Sequence, residues 1–255
     1  MLRHRVIPVL LLDNGYLYKT FKFSQPEYLG DPINTIKIFN NKEVDEIVVL
    51  DIGATSDHKE PNYALLEDLA TEAFMPMAYG GGLTNVEQMH KIFSIGYEKI
   101  VLNSSLITHQ DLCKQAVKVF GSQSVVASID VVKKGSHYLV ATHGGRKIHD
   151  LDPISFVQSL ALSGVGEIII NSIDHDGVMQ GYDLNLIEQV AQAVDIPVIA
   201  CGGAGKLEDF KAAVKRGASA IAAGSFFVFY GKHRAVLITY PDYNVLERLF
   251  LGSPL

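Results

Sequence analysis

The chain has 255 residues, 48% of them hydrophobic and 20% charged, with a net charge of −6. It can bury a substantial core, and with no extended basic stripe it excludes a nucleic-acid or membrane-surface protein. Cys113 and Cys201 lack metal-ligand spacing, no cofactor motif appears, and the two thiols fit a reducing, cytoplasmic compartment without disulfides.

At the N-terminus, Arg3, His4 and Arg5 precede only seven apolar residues before Asp13, which is no signal peptide. No later apolar run approaches the length of a membrane span. In chain order, the apolar runs of strand length are Arg5–Leu11, Glu46–Ile52, Pro76–Tyr79, Lys99–Leu102, Ser124–Asp130, Glu167–Ile173, Pro197–Cys201 and Ala220–Ala223. Between most of them the period changes to that of a helix, over Thr35–Phe39, Tyr63–Phe74, Val86–Ile95, Leu112–Phe120, Ile154–Leu162, Leu184–Val194 and Leu207–Val214. Tyr16–Pro32, with Lys19 and Lys22, reads as a long connection. Alternating Tyr138–Thr142 before Gly144-Gly145 reads as a small hairpin, and Tyr243–Leu251 as a closing helix.

The chain also repeats itself. Shifted by 121 residues, Glu46–Ser104 aligns without a gap on Glu167–Ser225, with 13 of 59 pairs identical. Strands apolar throughout suit a parallel sheet covered on both faces. Eight strand–helix units in two similar halves predict one (β/α)8 barrel over residues 1–255, with half-barrels of 1–120 and 121–255. A doubly wound open sheet would need two edges and a reversal of order. Both irregular connections then fall on the C-terminal face, where loops carry function on this fold.

Pro197–Gly205 is a short apolar strand ending in a glycine turn before an amphipathic segment, and Pro76–Gly82 is its copy. A helix start presents unpaired N–H groups and a partial positive charge, which together hold a phosphate. Gly81, Gly82, Asn103 and Ser104 form one candidate cup, and Gly202, Gly203, Gly224 and Ser225 its twofold mate. Two cups imply a ligand phosphorylated at both ends, with Lys19 a candidate to fold over one phosphate. The competing reading is that the glycines only let helices start close to strands.

Leu50-Asp51-Ile52, Gly80-Gly81-Gly82, Phe120-Gly121-Ser122-Gln123, Ser128-Ile129-Asp130, Ser172–Gly177, Gly181-Tyr182-Asp183 and Gly202–Lys206 together resemble the cyclase (HisF) subunit of imidazole glycerol phosphate synthase, from Arg5 to about Phe229. The resemblance implies a glutaminase partner on the N-terminal barrel face. Ammonia would cross the barrel to a bisphosphorylated ribulosyl-formimino-aminoimidazole carboxamide nucleotide. It also implies a pair of acid–base carboxylates ending strands 1 and 5. Asp130 supplies the second, but Leu11 stands where the first belongs. Asp13 and Asp176 are the substitutes to weigh; Asp13 lies roughly 6–7 Å further along its strand, in an Asp-Asn-Gly turn signal. Asp51 also matches a family position.

At the other barrel end, Arg5, Glu46, Lys99 and Glu167 match the family's ammonia gate, for which the rival reading is a structural salt-bridge plug. The resemblance therefore implies an ammonia-passing barrel in a glutamine amidotransferase complex, serving a sugar amidotransferase of surface-polysaccharide biosynthesis. Its own cyclase chemistry would be impaired. The alternative is an authentic histidine-pathway cyclase using Asp130 with Asp176 or Asp13.

Overall fold

A computed structural model describes residues 4–109 and 111–251, so Arg3 and the outermost ends of the expected 1–255 domain lie outside the described residues. Eight parallel strands close into a barrel: Arg5–Asp13, Ile47–Asp51, Met77–Gly80, Lys99–Leu102, Val125–Lys134, Glu167–Ser172, Val198–Cys201 and Ala220–Ala223. Each pairs with the next, and the eighth pairs with the first through Arg5 opposite Ala220. We number these barrel strands first to eighth.

Helices return the chain between strands, at Pro32–Asn41, Tyr63–Glu72, Val86–Ile95, Leu112–Phe120, Pro153–Leu162, Leu184–Ala193 and Leu207–Lys215. Tyr243–Leu251 closes the fold as expected. Five of the helices begin at an Asp or Asn whose side chain accepts from the backbone N–H three residues on: Asp31, Asn62, Asn85, Asp152 and Asp183. Each such cap contributes about 1 kcal/mol. The helices bury one stripe, such as Met89 and Ile92, against outward strand residues such as Ile100 and Leu102. Inward residues form a second apolar cluster inside the barrel. Strand alternation thus sorts each strand between two cores.

The first connection differs from the expected loop. Tyr16–Phe21 and Ser24–Gly30 form an antiparallel hairpin that continues the first strand, with Leu12 opposite Leu17. The fifth strand runs on to Lys134, turns at Gly135 and pairs with His137–Thr142, which pairs in turn with Lys147–Ile148 across Gly144-Gly145, so the expected small hairpin is present with a further turn before it. Short helices absent from the sequence reading follow the fourth strand (Ser105–Thr108) and the eighth (Ser225–Val228), at matched positions of the repeat.

Candidate functional site

Alternate residues of each strand point into the barrel, and they stack in levels from the N-terminal end upward. The lowest level is charged. Arg5 bonds Glu46, and also Glu167 at 2.5 Å; Lys99 Nζ reaches Glu46 at 2.9 Å and Glu167 at 3.1 Å. Two cations and two anions therefore form a closed cycle of four ion pairs. Burial works against the Arg5 charge, but Glu46 and Glu167 outweigh it and hold the guanidinium above its ordinary value. Glu46 is only 3% exposed and has both cations as partners.

Next along the strands from the ring come apolar inward residues, Ile7, Ala78, Val126 and Ile199 among them. Over that level a cavity of about 580 Å³ opens toward the C-terminal loops, with Val9, Val48, Val101, Ile169 and Ser128 among its lining residues. Asp130 lies in its wall, 8% exposed. Asn103 Nδ2 donates to Asp130 Oδ2 at 3.0 Å and Asn171 Nδ2 donates to Oδ1 at 3.3 Å. Burial pushes the Asp130 carboxyl up to about 7; Asp176 adds to the shift, while the two amide donors pull the other way.

Leu11 lines the same cavity from the first strand, four strands round the closed barrel from Asp130. No proton can be exchanged there. Asp13 ends that strand and does not line the cavity; its Oδ1 accepts from Asn14 and would lie 2.7 Å from a Cβ on Gly53. Asp51 does line it. Burial raises the Asp51 carboxyl, Asp13 adds to that, and the Gly53 and Ala54 N–H groups partly offset it.

The two glycine motifs have different surroundings. Gly81, Gly82, Asn103 and Ser104 all line the cavity. Ser104 Oγ donates to Asn103 Oδ1 at 3.2 Å and accepts from the His143 N–H at 3.0 Å. Of the second set, only Gly224 lines the cavity. A Cβ on Gly202 would lie 2.5 Å from Asn171 Oδ1, and one on Gly203 2.2 Å from the Gly181 carbonyl, so these two positions require glycine for close approach. The Ser225 hydroxyl is buried without a partner among the described residues.

Lys19 is neither solvated nor a free arm. It is 5% exposed, its stem passes over Gly224, and Nζ donates to Asp176 Oδ1 at 2.7 Å. The Lys22 N–H donates to the Asp176 carbonyl at 2.9 Å, so the hairpin after the first strand is fastened to the loop after the sixth. Lys22 Nζ lies over the Phe21 ring. Cys201, also in the cavity wall, has its thiol pushed up to about 12 by burial.

The sequence reading passed over Asn171 and Ser128. A signal existed: Val126, Ser128 and Asp130 alternate on the fifth strand, as do Glu167, Ile169 and Asn171 on the sixth, so both belong to the inward column. Among the described residues no helix is long and apolar enough to cross a membrane. None of their His, Cys, Asp and Glu side chains form a metal-binding group of three.

The family described as histidine biosynthesis protein matches residues 5–234. A Pseudomonas aeruginosa protein, provisionally named imidazole glycerol phosphate synthase subunit hisF2, is 51% identical over 250 residues, covering 97% of this chain and 99% of its own. A Leptospira interrogans protein provisionally named as a HisF subunit is 44% identical over 253 residues, 98% of this chain and 100% of its own. The imidazole glycerol phosphate synthase subunit HisF of Petrotoga mobilis is 40% identical over 237 residues, 92% and 94% of the two chains.

Proposed function

The chain belongs to the histidine biosynthesis family as a HisF-type subunit, and from that premise we propose that it conducts ammonia rather than consuming it. In this reading a glutaminase of the HisH kind docks on the N-terminal face. The barrel passes its ammonia upward, and a separate sugar amidotransferase receives it, with the chain's own cyclase step impaired.

The observation that carries the reading is Leu11. The family reaction moves protons on and off nitrogen and oxygen, which two groups in opposite protonation states can manage. Here Asp130 faces a side chain without a proton, while the ring of Arg5, Glu46, Lys99 and Glu167 is complete. Losing one acid–base group costs a factor of about 10²–10⁴.

The conduit is supported by its levels. Neutral ammonia passes the ring without adding charge to it, once one of the four ion pairs parts. The apolar level above admits the neutral molecule, whereas ammonium would lose its hydration there with nothing to replace it. The cup of Gly81, Gly82, Asn103 and Ser104 is retained as a phosphate site, held by backbone N–H groups and one hydroxyl.

The deciding experiment supplies the purified chain with ammonium and the bisphosphorylated nucleotide and follows imidazole glycerol phosphate. The expected outcome is formation slower by a factor of at least about 10² than ordinary turnover of 1–10³ per second. Ordinary turnover would overturn the proposal. The alternative, an authentic cyclase, is favoured by one observation: Asp130 and Asp176 line the same cavity. On that reading Asp130→Asn abolishes a measurable cyclase activity.

A further inference from the structure

Ser128 sits on the inward column of the fifth strand, between Val126 in the apolar level and Asp130 in the cavity wall. On the sixth strand it is opposite Ile169, and Val101 of the fourth strand also points into this part of the barrel. The residue is 7% exposed and lines the cavity. Its carbonyl accepts from Asn103 Nδ2 at 2.9 Å, but its hydroxyl has no hydrogen-bond partner among the described residues. A hydroxyl in a cavity wall, flanked by aliphatic side chains, keeps its donor and its acceptor available to a small molecule that enters.

We infer that Ser128 is the positioning residue that receives ammonia as it leaves the apolar level. The inference rests on the proposed upward passage. Ammonia has three N–H donors and one lone pair, and none of these finds a partner among Ile7, Ala78, Val126 and Ile199. A hydroxyl answers both needs, since it donates to the lone pair and accepts an N–H. It does so without transferring a proton, so the molecule stays neutral, whereas an acid at this level would trap it as ammonium. Cys201 shares the wall, but a protonated thiol is a weak hydrogen-bonding group. The next strong acceptor is the Asp130 carboxylate, two residues on, or roughly 6–7 Å along the strand. Its oxygens keep free lone pairs beyond the bonds from Asn103 and Asn171.

The test compares Ser128→Thr with Ser128→Val, which share a shape and differ in the hydroxyl. In the complex with its glutaminase and acceptor enzyme, the readout is aminated product formed per glutamate released. The threonine variant is expected to stay within about twofold of the parent and the valine variant to fall about fivefold, the worth of one net hydrogen bond. With ammonium supplied from solution, both variants are expected to give equal rates, because bulk ammonia enters at the mouth above Ser128.

Equal ratios for the two variants overturn the inference. So does a valine defect of the same size with ammonium, which marks a purely structural role. The ratio is counted in whichever product carries the nitrogen. If that product is imidazole glycerol phosphate, the conducting role fails while the Ser128 comparison still gives its answer.

Discussion

Lys19 Nζ lies 2.7 Å from Asp176 Oδ1, both side chains are largely buried, and the two residues are 157 positions apart. The pair joins the hairpin after the first strand to the loop after the sixth. Breaking a buried pair by removing one partner leaves an uncompensated charge and typically costs about 3–5 kcal/mol. Lys19→Met is therefore expected to lower unfolding free energy by that order, and Lys19→Met with Asp176→Leu to recover most of it. Urea denaturation of the two singles and the double measures this; a single-variant loss below about 1 kcal/mol would show the pair to be ordinary surface chemistry.

Leu11→Asp restores a carboxylate to the wall facing Asp130. Ammonium-dependent formation of imidazole glycerol phosphate is expected to rise by a factor of about 10²–10⁴ over the parent. Folding is expected to weaken by roughly 1–3 kcal/mol, since a polar group enters a position of 9% exposure without a partner. A quenched assay on both proteins decides it, and an unchanged rate assigns the missing activity to another departure from the family.

Asp130 gives a pH signature. Burial holds its folded value at about 7, above an unfolded value of 3.8, so the folded state keeps the proton more tightly. Between those values raising the pH weakens folding, by up to about 4 kcal/mol across the window. The penalty is absent below the unfolded value and constant above the folded one. Asp130→Asn removes the contribution. Chemical denaturation at pH 4.5 and pH 7.5 is expected to show a flatter dependence in the variant, and identical slopes would refute it.

The charged ring makes its own demand. Glu46 bonds both Arg5 and Lys99, so Glu46→Gln leaves two cations sharing Glu167. A loss of roughly 3 kcal/mol is expected. Exchanging the two charges, as Glu46→Lys with Lys99→Glu, keeps the ring neutral but sets a second cation beside Arg5 and a second anion beside Glu167, so it is expected to recover none of the loss. Thermal unfolding of the single and double variants checks both.

Much of this was legible in the residues. Apolar runs such as Ala220–Ala223, buried on both faces, and the repeat that sets Gly81 against Gly202 were enough to give eight strands and their order. The helices Val86–Ile95 and Leu112–Phe120 have the expected limits because amphipathic period and terminal glycines agree. The first hairpin was hidden for a definite reason. Its turn residues, Lys22 and Phe23, have φ of 50° and 59°, a conformation usually announced by Asn-Gly. The Lys19–Asp176 bond has no local signal at all, since it forms between two loops that only barrel closure brings together. The glycine motifs matched in sequence but not in surroundings. The repeat sets the strand ends and puts a hairpin after both the fifth strand and the first, though the first strand's hairpin shares no turn sequence with its counterpart.

That hairpin also bears on solubility. A closed barrel offers no free edge to a passing chain, but among the described residues Ser24–Gly30 pairs only with Tyr16–Phe21 and leaves its outer side to water. Pro26 has no N–H to donate, Gln25 turns the backbone into the left-handed region at φ 51°, and Glu27 adds a charge. Together they deny a foreign strand three successive positions. A single Pro26→Val change would leave a β-prone Val-Glu-Tyr-Leu run on an open edge, and self-association through that edge would follow at high protein concentration.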